Sequence, residues 1–199
     1  MAAQRKPFPR LFLTRPEPFR LGGERVFLRP AQRADFDEWA SLRARSREFL
    51  TPWEPSWPAD ALGRANFRAR VARYSEDWRT DQGYNFFIFR TDELLAGGIG
   101  LSNVRRGVAE TASLGYWIGA PFARQGFMSA ALPLVLDFAF DRLRLHRLEA
   151  ACLPTNVASR ALLMRTGFQQ EGYARRYLLI DGQWQDHLLF AILREDWRR

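Results

Sequence analysis

A single cysteine, Cys152, excludes an internal disulfide and any cysteine-rich zinc site. Only two histidines, His146 and His187, accompany it, so no metal-ligand cluster is visible and no metal is expected. No apolar run approaches the roughly 18–20 residues that cross a bilayer, so no membrane partner is expected. The opening stretch MAAQRKPFPRLFLTRPEPF is basic, but prolines break its apolar part. It lacks the ~7–15-residue apolar core of a secretory signal, and the expected location is cytoplasmic. Lysine is almost absent. Lys6 is the only one, so arginine carries nearly all of the positive charge behind a net +8. Guanidinium groups make planar, bidentate contacts with phosphate and carboxylate. The arginine excess therefore suits an anionic partner, and it equally serves solubility. The arginines form no single basic block and no helix-turn-helix pattern stands out, so a direct nucleic-acid role is not expected.

What is present fits a globular chain with a sizeable core: 47% hydrophobic and 26% charged residues over 199 positions. We read 1–20 as an extended, proline-rich arm and 21–199 as one domain. ERVFLRPA (24–31) alternates apolar and polar residues as a strand does. A helix is expected over 35–49, with Phe36, Trp39 and Leu42 on one side. TPWEPSWP (51–58) stops it, because prolines remove backbone donors and restrict the residues before them. A second helix is expected over 59–78. Strands follow at 84–90, 94–104 and 112–120, then a helix over 125–140 that contains Pro133, which should kink it. Next come a strand at 146–153, a helix at 156–166 closed by Gly167, and strands at 170–180 and 184–193. Asp181 and Gly182 join the last two in a tight turn. This order gives an α/β fold, a mixed sheet with helices on its faces.

Two stretches can carry chemistry. GAPFARQGFMSA (119–130) leads from the aromatic strand LGYWI into a helix. A helix start offers backbone N–H groups without intrahelical partners, and its dipole adds partial positive charge. Gly126 leaves room for a ligand and Arg124 adds a full charge, which together suit a phosphate. Water capping an ordinary helix start is the alternative. In CLPTNVASRALLMRTGF (152–168), Thr155 or Asn156 can cap the helix. Asn156 and Ser159, three apart, share its first-turn face.

A strand, a phosphate-type loop and a helix, followed by a strand and a helix presenting Asn-x-x-Ser, resemble the GNAT family of acetyl-CoA-dependent N-acetyltransferases. FLTPWEP (49–55), LSNVRRG (101–107), GYWIG (115–119), the run from 156 to 187 and the terminal DW are similar to its RimJ/RimL type, the ribosomal-protein-alanine N-acetyltransferases, RimJ especially. The resemblance covers about 24–197. It implies a central twisted, mostly antiparallel sheet of about seven strands flanked by about four helices. It implies that acetyl-CoA is bound at the loop, its pyrophosphate held by the amides of Arg124, Gln125, Gly126, Phe127, Met128 and Ser129. The family pattern Gln/Arg-x-x-Gly-x-Gly/Ala keeps only Gly126 here, with Ala123 and Met128 at the other two places. Trp117 and Ile118 would run beside pantetheine, and Asn156 would also face the cofactor.

Many GNAT enzymes place a tyrosine acid on the second of these helices. The matching position here is Leu163, so Ser159 becomes the candidate, either as acid to the leaving thiolate or as a contact to CoA. A thiol with a pKa of roughly 8.5 needs little help in leaving. Glu54 and Glu110 are the candidate bases, each alternatively structural or substrate-positioning. Trp53, Glu54 and Trp57 lie where the acceptor would enter, Glu54 pairing with its ammonium. Cys152 is not needed as a nucleophile, and His187 is read as structural. The expected activity is direct acetyl transfer to a protein N-terminal α-amine, with a ribosomal protein as the possible acceptor and a monomer or homodimer as the assembly. The alternatives are a GNAT enzyme for a small-molecule amine and a non-catalytic CoA-binding module.

Overall fold

The computed structural model describes residues 19–197. All but the last two residues of the expected 1–20 arm lie outside them. The described chain forms one sheet of eight strands in the order β1-β2-β3-β4-β5-β6-β8-β7. The strands are β1 (Leu21–Gly22), β2 (Val26–Arg29), β3 (Tyr84–Arg90), β4 (Leu95–Arg105), β5 (Thr111–Ile118), β6 (Arg147–Cys152), β7 (Gln169–Ile180) and β8 (Gln183–Leu193). The class is the expected one, and the two-residue β1 raises the strand count above seven.

Every pairing is antiparallel except β5 with β6. Those two run parallel only from Thr111–Ser113 against Arg147–Glu149. Beyond that point β5 keeps its bonds to β4 and β6 keeps its bonds to β8, but the edges facing one another are unpaired. The sheet is therefore split in its middle, over residues 114–118 on one side and 150–152 on the other.

The helices are α1 (Phe36–Arg45), α2 (Arg47–Leu50), α3 (Arg64–Arg79), α4 (Phe127–Asp137) and α5 (Val157–Arg165). Strand alternation divides the apolar residues between the two faces. Tyr84, Phe86 and Ile88 pack with α4 and α5, whereas Phe87 and Phe89 pack with Trp39, Leu42, Phe67 and Val71 of α1 and α3. Phe67 is fully buried, 4.7 Å from the Trp39 ring centroid. Phe67→Ala should cost about 3–5 kcal/mol by denaturant unfolding.

Three expectations need correction. The first helix ends at Arg45, before the predicted 49. Ser46 is buried at the break, and its hydroxyl accepts the Ala120 N–H at 2.9 Å, which fixes the joint against the 119–123 loop. TPWEPSWP is not free of helix either. Thr51–Trp53 make one 3-10 turn with Pro52 in its first positions, where a missing N–H costs nothing. The second helix starts at Arg64, because turns closed by Pro58 and Asp60 carbonyls occupy 59–63. Pro133 does lie inside α4, and the helix widens to a π turn over Phe138–Arg142.

Candidate active site

The loop between β5 and α4 is held from below. Gly119 donates its N–H to the Ala96 carbonyl, and a side chain there would overlap Leu42. A 3-10 turn, Ala120–Phe122, follows. Then Arg124 and Gly126 take left-handed backbone conformations, with φ of +60° and +81°. Turns of this kind point successive N–H groups to one side and form anion-binding concavities. Among the described residues, the amides of Arg124 through Ser129 donate to no backbone carbonyl. No acidic residue lies in the first turn of α4. The sequence also gave no reason to look at Arg25, a hundred positions away. Its guanidinium donates to the Gln125 carbonyl at 3.0 Å and lies 5.3 Å from the Phe127 ring centroid. The concavity thus has the Arg25 guanidinium beside six free amides.

The split in the sheet begins next to this loop. Trp117 and Ile118 lie in the stretch of β5 whose edge toward β6 is unpaired. Tyr116 precedes them and faces the opposite side of the sheet from Trp117. Its hydroxyl lies 2.8 Å from the Ser159 hydroxyl on α5. This hydrogen bond reaches from β5 to the helix that follows β6, across the split. Asn156 caps α5 by accepting the Ser159 N–H at 3.0 Å, which fixes the Ser159 backbone. Burial pushes the Tyr116 phenol up to about 12, the Ser159 bond opposing. Burial also raises the Cys152 thiol, with the nearby Ser159 hydroxyl opposing, so it is a poor thiolate nucleophile. Leu163 is fully buried in the core and presents nothing to the split.

Two expected bases are placed otherwise. Glu54 is not free: both carboxylate oxygens bind the Arg43 guanidinium, at 2.7 and 2.5 Å, and one also accepts the Trp57 indole N–H at 3.0 Å. Arg43 in turn lies 4.2 Å from the Trp57 ring and 4.8 Å from the Trp117 ring. The cluster forms a rigid wall, since each charge is matched and each ring stacked. Glu110 lies at the wrong end of β5. Six residues of strand, about 20 Å, separate it from Tyr116, and it binds Arg106 and the Gly107 amide. Trp53 lines a separate cavity of about 400 Å³ with Thr155 and Ile180, while Glu54 and Trp117 line one of about 220 Å³ over the sheet. His187 is buried, its Nδ1 3.0 Å from the Gln185 carbonyl.

Comparison with known proteins agrees with this geometry. A family described as the acetyltransferase (GNAT) domain matches residues 25–169. The chain is 36% identical over 179 residues to the [ribosomal protein uS5]-alanine N-acetyltransferase of Escherichia coli, covering 89% of this chain and 92% of that one. It is 35% identical over 177 residues to the probable N-acetyltransferase YjcK of Bacillus subtilis, covering 88% and 98%. Among solved structures, Mycobacterium smegmatis RimJ in complex with CoA-disulfide superimposes with a TM-score of 0.83 at 34% identity, over 87% of this chain and 84% of that one.

Proposed function

The chain belongs to the acetyltransferase (GNAT) family, and from that premise we propose that it moves acetyl from acetyl-CoA to the α-amine of a protein N-terminus, as its ribosomal-protein-alanine relatives are named for doing. The catalytic domain in this reading is 21–199. The observation that carries the reading is the split between β5 and β6, with free amides at its mouth and a hydroxyl pair across it. An unpaired strand edge inside a sheet needs hydrogen-bond partners. The amides of pantetheine supply them, and the concavity at 124–129 takes the pyrophosphate.

In the reaction, the neutral amine attacks the thioester carbon and the C–S bond breaks. The amide nitrogen loses a proton to water, and the CoA sulfur takes one. A β5 N–H near Trp117 or Ile118 polarises the thioester oxygen. Ser159 faces the leaving sulfur and donates to it. Tyr116, protonated throughout the working pH range, holds the Ser159 hydroxyl in place. Thiol release from acetyl-CoA in the presence of Ala- or Ser-starting peptides tests the activity, with CoA calorimetry beside it. No CoA binding would overturn the reading.

With Glu54 held by Arg43, the cavity wall offers no unpaired carboxylate as base. The acceptor must then arrive already partly neutral. An α-amine has a pKa of about 7.7–8.0 against about 10.4 for lysine, so its free-base fraction near neutral pH is ~300-fold larger. Peptide mapping by mass spectrometry should find acetyl on the N-terminus of a lysine-containing peptide and not on the lysine. The kcat/KM for the peptide should rise with unit slope up to the acceptor's own pKa. Acceptors of lower amine pKa should shift that bend downward by the same amount. A bend that stays fixed would point to an enzyme base.

A further inference from the structure

The 220 Å³ cavity lies over the sheet, and its lining is unusual for the middle of one. Strand register sets Asn85 of β3 opposite Gly100 of β4, and Gly100 opposite Gly115 of β5. The three form one row across three strands, on the face that also carries Trp117. A Cβ on Gly100 would overlap the Asn85 carboxamide, and one on Gly98 would overlap the Trp117 indole nitrogen. Both side chains thus lie flat across positions that lack one. Gly115 differs: nothing lies within 4 Å of the place its Cβ would take. The cavity has an open floor at Gly115, and polar groups rim it.

Those polar groups are unspent. Among the described residues, neither the Asn85 carboxamide nor the Trp117 indole N–H has a hydrogen-bond partner. A carboxamide offers two donors and an acceptor, which matches the C=O and N–H of a peptide group. The third wall, Glu54 on Arg43, is an ion pair whose charges balance. The floor is also the strand whose free edge takes the thioester, so a residue seated on Gly115 presents its amine beside that edge.

We propose that this cavity is the first-residue pocket of the acceptor polypeptide. The side chain of the first residue stands over Gly115, and Asn85 binds the first peptide group. Gly115 is thus the residue that limits the size of the first side chain, and Asn85 the one that holds the backbone beside it. The proposal rests on the acetyltransferase reading above and specifies how its acceptor is chosen.

The test is kcat/KM of the full chain on peptides differing only in the first residue (Gly, Ala, Ser, Val, Leu), for the wild type, Gly115→Val and Asn85→Ala. Calorimetry with CoA checks that each variant is folded and still binds the cofactor. The wild type should favour Ala over Leu at least about tenfold. Gly115→Val should lower activity on the Ala peptide by about 10- to 100-fold while sparing the Gly peptide, because overfilling costs scale with the volume that no longer fits. Asn85→Ala should raise the peptide KM up to about tenfold and equally for every first residue, because it loses one hydrogen bond to a group common to all. Equal losses on Gly and Ala peptides in Gly115→Val, an unchanged peptide KM in Asn85→Ala, or a wild type indifferent to the first residue would each overturn the pocket. A wild type that acetylates no peptide at all would instead overturn the activity on which the pocket rests.

Discussion

Gly126→Val should raise the KM for acetyl-CoA at least about tenfold and leave the acceptor KM within about twofold. Two effects combine. The backbone at Gly126 has φ +81°, where an L side chain costs roughly 1–2 kcal/mol. A Cβ there would also stand 2.8 Å from the Arg25 guanidinium, forcing that group off the concavity. The substituent then covers the amides proposed to hold the pyrophosphate. Gly126→Ala should show the strain with less obstruction and fall between the two. Steady-state kinetics with each substrate varied in turn, and calorimetry with CoA, measure the split. Equal rises in both KM values would remove the cradle from this loop.

Ser159→Ala should lower kcat by about 100-fold, at the low end of what positioned acids contribute, and change neither KM by more than about threefold. The low end applies because a thiolate with a pKa near 8.5 leaves readily. Tyr116→Phe should lower kcat by about tenfold, since it removes the hydrogen bond that orients Ser159 and not the proton donor itself. The double variant should be no slower than Ser159→Ala alone, as for groups that act as one unit. Burial holds the Tyr116 phenol up to about 12. The phenol therefore stays protonated up to the alkaline end of an ordinary assay, and no falling limb below that should be traceable to it. A double variant slower by the product of the two single losses would separate the pair.

Strands at 84–90 and 169–193, the Asp181-Gly182 turn and the Asn156 cap were legible because local patterns decide them. Alternation, a turn dipeptide and a capping side chain act within a few residues. The concave loop at 124–129 was legible from a glycine before a helix, although Arg25 was not, since nothing local links positions 25 and 126. Tyr116 sat in the quoted GYWIG strand. Alternation alone sends it to the opposite face from Trp117, toward α5. Asn85 also had a signal, as the one polar side chain within YNFFIF. The ion pairs of Glu54 and Glu110 were not legible for a physical reason: a carboxylate in an arginine-rich chain is readily bound by a guanidinium, and which one is decided by tertiary contacts.

The order of strands has a consequence for when this protein can work. Among the described residues β8 follows every other strand in sequence, yet it lies inside the sheet, between β6 and β7. The hairpin it makes with β7 also anchors the acceptor wall, because the Asp181 N–H at its tip donates to the Glu54 carbonyl at 3.0 Å. A nascent chain that ends before residue 183 therefore has β7 with no neighbour to pair with, and a Glu54 segment without its tether. Joining the two ends of the site therefore waits until β8 is inserted between β6 and β7.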